Sequence, residues 1–170
     1  MKIGVLFVCL GNICRSPMAE AVFRHMVKER GLEQYFVIDS AGLSGWHAGS
    51  PPHEGTRRKL QEMKIDADGI AARQIRPDDL EQFDYILVMD RENLHGISRL
   101  SQKLGQHRAQ IHLLMEFAPD VGVKEVPDPY YNGRFSEVYD LVYAGCQGLL
   151  ETLIQKHGLT TSKTQKDKID

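Results

Sequence analysis

The sequence predicts an α/β fold, a single-domain three-layer αβα arrangement in which helices cover both faces of a parallel sheet. Four short apolar runs, at residues 3–8, 36–38, 85–89 and 111–114, lack clean polar alternation, which is typical of strands buried on both faces. Helical stretches separate these runs, and this alternation favours a parallel sheet. A chain of 170 residues with a hydrophobic fraction of 42% is long and apolar enough to form one packed core.

The helices follow from apolar spacing and from signals at their ends. We predict helices over residues 17–30, 53–64, 91–104 and 136–157, and a single helical turn over residues 78–82. Ser16 suits the N-cap of the first helix and Pro17 its first position, while Gly31 suits the position just after its end. The domain is expected to span residues 1–158, and the polar, lysine-rich residues 159–170 are expected to form a disordered tail.

The composition excludes several classes of function. A net charge of −2 gives no basic field to attract nucleic acid, so any anion binding must be local. No apolar stretch is long enough for a membrane span or a signal-peptide core, so we expect no membrane insertion and a cytoplasmic protein. The three cysteines and seven histidines lack metal-ligand spacing, so we predict no metal and no cofactor. A monomer is the default expectation.

The functional signal lies in the loop that follows the first predicted strand. Gly11 allows a tight turn in which successive N–H groups point into one concavity. The next helix aims the positive end of its dipole at the loop, and Arg15 adds a planar fork that matches two phosphate oxygens. We therefore predict a phosphate cup with Cys9 at its floor. The residues expected to contact the bound group are Leu10, Gly11, Asn12, Ile13, Cys14, Arg15 and Ser16.

The same positive field acts on the Cys9 thiol. A cysteine at a helix N-terminus beside an arginine is favoured as a thiolate, and a thiolate is a strong nucleophile. Cys9 is therefore predicted to attack the phosphorus of a bound ester. An inert strand-end cysteine is the alternative, because most buried cysteines are structural. The register of Gly11, Arg15 and the Ser-Pro helix start favours the nucleophile.

This loop resembles the C-x5-R-S loop of the low molecular weight protein tyrosine phosphatases. Further segments resemble that family in family order: Asp39-Ser40-Ala41-Gly42, Ser44-Gly45-Trp46, Ala72-Arg73-Gln74, Asp84 to Asp90 and Asp128-Pro129-Tyr130-Tyr131. The resemblance covers about the first 155 residues and implies a flavodoxin/Rossmann-like sheet of order 2-1-3-4. It also implies hydrolysis of phosphotyrosine in a protein substrate through a phosphocysteine intermediate.

A proton donor is needed as well, because a tyrosine leaving group has a pKa of about 10. Asp128 lies between Pro127 and Pro129, which stiffen the loop and bias the aspartate toward an extended conformation. Spacing alone favours an ordinary surface turn at this position. The resemblance instead implies that Asp128 is the general acid, and afterwards the base that activates water.

The polar neighbours of the loop also have implied roles. Asn12 resembles the family's bracing amide, bonded to its neighbours and to Ser40, and Ser16 can donate to the Cys9 thiolate. Asp90 is expected to pair with Arg15 or to cap the following helix, and one carboxylate could do both.

Two further features concern the position of the site and how the loop is braced. Cys9, Ser40 and Asp90 are each predicted at the carboxyl end of a strand, where parallel sheets bind ligands. Ile70 stands where many eukaryotic members have a histidine, which removes one bracing route for Asn12.

Several residues near the loop bear on which substrate the site accepts. Trp46, Tyr130 and Tyr131 are candidates for the walls of a slot that accepts a flat ring, although a single aromatic is more often core. Ile13 favours phosphotyrosine, since the family's arginine-phosphatase branch typically has threonine there. Cys14 could form a protective disulfide with Cys9 or simply pack the loop, and both remain open.

Rival functions are an arsenate reductase or a non-catalytic phosphate-binding module. A thioredoxin-coupled arsenate reductase would need further cysteines, and residues 73–104 contain none. A binding module would have no use for a nucleophile.

Overall fold

A four-stranded parallel sheet forms the centre of the molecule. The computed structural model describes residues 2–160. The strands are β1 (Ile3–Cys9), β2 (Phe36–Gly42), β3 (Tyr85–Val88) and β4 (Gln110–Leu113). They pair in the order β2-β1-β3-β4, and every pair is parallel. The predicted α/β class and strand order are therefore confirmed.

Six α-helices connect and cover the strands in the described part of the chain. They are α1 (Arg15–Glu29), α2 (Glu54–Glu62), α3 (Asp79–Gln82), α4 (Arg91–Leu104), α5 (Pro129–Asn132) and α6 (Phe135–His157). Short 3-10 turns cover Glu33–Tyr35, Leu114–Phe117 and Pro119–Val121. Within residues 2–160, no helix combines the length and apolarity needed to cross a bilayer.

The central strand β1 explains why its sequence lacks polar alternation. Val5 and Phe7 point into one hydrophobic cluster with residues of α1 and α6. Leu6 and Val8 point into a second cluster on the opposite face, which contains residues of α3 and α4. Because a strand places successive side chains on opposite faces, both sets are buried and both must be apolar. This is the three-layer arrangement.

The start of α1 differs from the prediction. The helix begins at Arg15, its N-cap is Cys14, and no side chain caps it. The expected N-cap role of Ser16 is therefore wrong, and Pro17 is the third helical residue rather than the first. The reason is that the Ser16 hydroxyl is turned toward Cys9 and Asn12 instead of toward its own helix.

Ser40 also differs, since it lies within β2 and not at its end. The strand continues to Gly42, which pairs with Cys9 at the end of β1. The apolar run stops at Ile38, but the hydrogen-bonded ladder continues through the polar residues that follow. Cys9 and Asp90 do lie at or just beyond the carboxyl ends of β1 and β3.

The predicted tail falls largely outside the described residues. Leu159 packs against the cluster between the sheet and the helices α1 and α6. The Thr160 carbonyl accepts a hydrogen bond from the Tyr35 hydroxyl at 3.4 Å. Residues 161–170 lie outside the described part of the chain.

Candidate active site

The loop between β1 and α1 is held from its outer side through its carbonyl groups. Three of them accept hydrogen bonds from other segments: Leu10 from Ser44 N at 2.9 Å, Ile13 from His53 N at 2.7 Å and Cys14 from Thr56 Oγ1 at 3.0 Å. The C=O and N–H of a trans peptide point in opposite directions. The N–H groups of Gly11, Cys14 and Arg15 are therefore directed away from those segments, toward the cavity that the loop lines. This is the geometry of an anion-binding cup.

Cys9 lies at the floor of this cup. It is the last residue of β1, is 3% exposed and faces the N-terminus of α1. Its Sγ lies 3.0 Å from Ser16 Oγ. The positive end of the helix dipole and the inward N–H groups both favour negative charge at this position.

Arg15 is a buried cation that connects the cup to two other elements. Its Nη1 donates to Asp90 Oδ2 at 2.6 Å and to the Val126 carbonyl at 2.9 Å. Burial by itself lowers the pKa of the guanidinium, but the neighbouring Cys9, Asp90 and Asp128 outweigh it and raise that pKa above its ordinary value. Arg15 therefore stays charged in the site. Asp90 Oδ1 also accepts from Asn93 N at 2.8 Å and caps α4, so one carboxylate does serve both expected roles.

Asp128 faces the same cup from the other side. Its Oδ1 accepts from Tyr130 N at 3.0 Å and caps α5, while its Oδ2 lies 3.6 Å from Arg15 Nη2. The segment before it is held by a 2.8 Å hydrogen bond from Val126 N to the Met89 carbonyl. One oxygen is thus used by the backbone, and the other is directed toward the site.

A cavity of about 240 Å³ lies over the loop. It is lined by Cys9, Leu10, Gly11, Ile13, Cys14, Arg15, Trp46, His47, Asp128, Tyr130 and Tyr131. At its mouth Trp46 and Tyr131 are each 80% exposed and Tyr130 is 54% exposed, so these rings are walls and not core. His47 was not expected here, and no spacing in the sequence marks it. Its ring lies against Gly11, where a Cβ would be 3.2 Å from the imidazole.

Asn12, Ser16, Ser40 and Asp90 do not line the cavity. Asn12 has a left-handed backbone, with φ of 58°, and its side chain turns under the loop. Its Nδ2 donates to Ser16 Oγ at 2.7 Å and to Ser40 Oγ at 3.0 Å. Its Oδ1 accepts from Arg73 N at 3.0 Å. Asn12 is therefore braced without a histidine.

Glu20 extends this network and was missed from the sequence. It is 5% exposed and accepts a hydrogen bond from Ser40 Oγ at 2.6 Å. A signal did exist. Glu20 follows Ser16 by four residues, which places both on one face of α1, and it stands between two alanines in an otherwise apolar stretch.

The surroundings of Cys14 oppose ionisation of its thiol. Burial raises the pKa of the Cys14 thiol to about 12, with Cys9 and Asp128 adding to the effect and Arg15 opposing it. Cys14 is therefore a neutral thiol at physiological pH and a poor nucleophile. In the structure Cys9, Cys14 and Cys146 are all free thiols. Among residues 2–160, no three His, Cys, Asp or Glu side chains are grouped to hold a metal ion.

An α/β sheet with a cysteine and a buried arginine around one anion-binding loop is the arrangement that a cysteine-dependent phosphatase requires. Comparison with known proteins gives the family. The sequence profile of the family described as "Low molecular weight phosphotyrosine protein phosphatase" matches residues 4–159. The chain therefore belongs to the low molecular weight protein tyrosine phosphatases, a family of enzymes.

Individual relatives agree with this assignment. The low molecular weight protein-tyrosine-phosphatase YfkJ of Bacillus subtilis is 48% identical over 151 residues, which cover 89% of this chain and 96% of that protein. The phosphatase PtpA of Staphylococcus epidermidis is 40% identical over 157 residues, covering 92% and 97%.

Solved structures agree as well. The crystal structure of B. subtilis YfkJ superposes with a TM-score of 0.86 at 46% identity, covering 94% of this chain and 98% of that one. The structure of a Drosophila arginine phosphatase superposes with a TM-score of 0.82 at 34% identity, covering 89% and 97%.

Proposed function

We propose that this protein hydrolyses phosphotyrosine in proteins through a phosphocysteine intermediate. The observation that carries the proposal is the convergence of the Cys9 sulfur, the Arg15 guanidinium and the Asp128 carboxyl on one cavity. A phosphate monoester needs a nucleophile, a cation and a proton donor, and this chain supplies all three.

In the first step the Cys9 thiolate attacks phosphorus. An S–P bond forms as the bond from phosphorus to the phenolic oxygen breaks. Asp128 gives its proton to that oxygen, so that tyrosine leaves neutral. The inward N–H groups of the loop and Arg15 hold the phosphoryl oxygens while their charge is redistributed.

In the second step water replaces the thiol. Asp128, now a carboxylate, takes a proton from the water as the water oxygen attacks phosphorus. The S–P bond breaks, inorganic phosphate leaves and the Cys9 thiolate is restored. One carboxyl group can serve both steps, because its Oδ2 faces the cup while its Oδ1 stays bound to Tyr130 N.

The walls of the cavity support a phosphotyrosine substrate. Trp46, Tyr130 and Tyr131 offer flat apolar surfaces to an aromatic ring. Ile13 also lines the cavity, and its side chain carries no polar atom. Phosphoarginine is the second candidate, because a relative with this fold is named an arginine phosphatase. The guanidino group of phosphoarginine, which is joined to phosphorus through nitrogen, would find no hydrogen-bonding partner on the Ile13 side chain, so we expect discrimination of about ten- to a hundredfold in favour of phosphotyrosine.

A metal-free assay with phosphotyrosine, phosphoserine and phosphoarginine peptides tests this proposal. We expect the phosphotyrosine peptide to have the highest kcat/KM, and Cys9→Ser to abolish turnover while peptide binding persists. Rapid quenching of the working enzyme should trap phosphate on Cys9. A working enzyme that forms no covalent adduct would contradict the mechanism. A faster reaction with the phosphoarginine peptide would contradict the substrate assignment.

We also propose a cytoplasmic location. The reaction requires the Cys9 thiol to stay reduced, and the cytoplasm keeps thiols in that state. Cell fractionation with an antibody against the protein should recover it with the cytoplasmic marker.

A further inference from the structure

A buried carboxylate lies at the far end of a polar chain that begins at the nucleophile. The chain runs from Cys9 Sγ to Ser16 Oγ, to the Asn12 side chain, to Ser40 Oγ and then to Glu20 Oε1. Its four contacts measure 3.0, 2.7, 3.0 and 2.6 Å in that order. These five residues are at most 5% exposed, so the chain is shielded from water.

The chemistry of the chain fixes the direction of each proton. An amide nitrogen can only donate, and Asn12 Oδ1 accepts from Arg73 N, which sets the orientation of the amide. Asn12 therefore donates to both serine oxygens. Since the Ser40 oxygen already accepts from Asn12, its own proton is free for Glu20. In the same way, the Ser16 proton is free for the Cys9 sulfur.

We propose that Glu20 is a positioning residue for the nucleophile: its carboxylate accepts the Ser40 proton and so holds Ser40 in place as an acceptor for Asn12, and the Asn12 side chain held in this way keeps Ser16 placed to donate to the Cys9 thiolate. The inference rests on the proposed role of Cys9. Glu20 itself touches neither the substrate nor the reacting atoms. It acts through Ser40, Asn12 and Ser16.

A carboxylate is suited to this role because Glu20 has two acceptor oxygens in use. Oε1 accepts from Ser40 and Oε2 accepts from Arg24 Nη2. A glutamine would have one acceptor oxygen for these two donors, and its NH2 group would then oppose one of them. Glu20→Gln should therefore disturb the Ser40 proton even though the side chain keeps its shape.

Several other charges face or surround Glu20. Asp39 on β2 and Arg24 on α1 interact with it directly. The remaining ionisable groups line the cavity behind it and are His25, Lys28, Glu29, Lys64, Asp66 and Asp68. Glu29 offers a matched control, because it belongs to the same helix and lines the same cavity. Unlike Glu20, it is exposed, and it pairs with His25.

Two effects of Glu20→Gln on Cys9 have opposite signs, and this makes the proposal testable. Removal of a buried negative charge would by itself favour the Cys9 thiolate and speed its alkylation. Loss of the ordered chain would remove a hydrogen bond from the thiolate and slow its alkylation. The proposal requires the second effect to dominate.

The experiment measures the rate of Cys9 alkylation by iodoacetamide across the mildly acidic to neutral range. This neutral reagent avoids attraction to the cationic cup. We expect Glu20→Gln to slow alkylation about three- to tenfold at the neutral end of this range, where Glu20 is most fully a carboxylate. Glu29→Gln should match the wild-type protein, and Glu20→Asp should restore part of the lost rate. Labelling should vanish in Cys9→Ser.

Ser40→Ala provides the second arm. It breaks the chain but leaves Glu20 in place, so it should slow alkylation by a similar factor, and adding Glu20→Gln should then have no further effect. Faster or unchanged alkylation in Glu20→Gln would overturn the proposal. It would also be overturned if Glu20→Gln slowed alkylation in the Ser40→Ala background as much as it does in the wild-type protein. If Glu20→Gln does not fold, Ser40→Ala alone decides, since an unchanged rate contradicts the chain.

The proposed function is tested separately. A wild-type protein without phosphatase activity refutes that function, whatever the alkylation ratios prove to be.

Discussion

At the scale of single residues, Arg15 joins the two halves of the site. Its guanidinium contacts Asp90 beyond β3 and the carbonyl of Val126 in the segment that leads to Asp128. The Val126 N–H is in turn held by Met89, directly after β3. The Arg15 guanidinium, the cup and the segment of Asp128 are therefore fixed relative to one another by a few contacts. This preorganisation matters because a misplaced catalytic group loses much of its effect.

The proposed role of Asp128 as a proton donor gives a leaving-group prediction. Asp128→Asn keeps an oxygen that can cap Tyr130 N but has no acidic proton to give. We expect turnover of phenyl phosphate, whose phenol is a poor leaving group, to fall by about 10²–10⁴. Turnover of nitrophenyl phosphate, whose nitrophenol is a better leaving group, should fall much less. Steady-state kinetics with both esters measures the difference. Equal losses for the two esters would count against acid catalysis by this residue.

The double role of Asp90 can be divided by two substitutions. Asp90→Asn keeps an acceptor for Asn93 N but loses the charge that orients Arg15. We expect it to raise KM about tenfold or more with little change in stability. Asp90→Ala should have the same kinetic effect and also lose the cap, which lowers the free energy of unfolding by about 1 kcal/mol. Urea denaturation and kinetics on both variants check this, and an unchanged KM in both would exclude the orienting role.

At the scale of elements, helix α1 carries a polar row on a face that is otherwise buried. Ser16, Glu20 and Arg24 follow one another at four-residue intervals and so lie one above another. The row runs from the nucleophile to the carbonyl of Ile38 on β2, which accepts from Arg24 at 2.9 Å. A helix that packs against the sheet thus also connects the cup to the neighbouring strand.

This row predicts a dependence of stability on pH. Burial raises the pKa of Glu20 above its ordinary value of 4.5, Ser40 and Arg24 oppose that rise, and Asp39 adds to it. Well below pH 4.5 the carboxyl is protonated in both the folded and the unfolded states. As pH rises, the unfolded chain loses its proton first, so the free energy of unfolding falls until the raised pKa is passed.

The comparison of wild type with Glu20→Gln isolates this effect. We expect the stability of wild type relative to Glu20→Gln to decline as pH rises from 4.5 and then to level off. Urea denaturation at a series of pH values measures it. A wild-type protein that gains stability relative to the variant over the same range would show that the carboxyl prefers to be charged in the fold.

At the scale of the whole molecule, the sequence could predict what is local and could not predict what depends on distant partners. The cup was predictable because Cys9, Gly11 and Arg15 lie within one short segment. The buried strands were predictable because both faces of β1 are dry. Glu20 was missed because its partner Ser40 comes from another element. The length of β2 was missed for a related reason, since Gly42 is held in register by Cys9 and not by its own apolarity.

The three thiols give a test of the fold as a whole. Burial raises the pKa values of Cys14 and Cys146 far enough that both remain neutral thiols near pH 7. Cys146 on α6 is fully buried, and its Sγ lies 3.7 Å from the carbonyl of Ala19 on α1, which accepts from it. The two helices must therefore separate before this thiol can react, whereas Cys14 requires only that the loop opens.

We therefore expect iodoacetamide to label one cysteine, Cys9, in the native protein at neutral pH and all three in concentrated urea. Labelling of Cys146 should follow the global unfolding transition, because its exposure requires loss of the main core. Inorganic phosphate should slow labelling of Cys9 because it fills the cup. In dilute urea it should slow labelling of Cys146 only to the extent that phosphate binding stabilises the folded state. Mass spectrometry of the labelled peptides gives each rate. Native labelling of Cys146 at a rate like that of Cys9 would contradict the packing of α1 against α6.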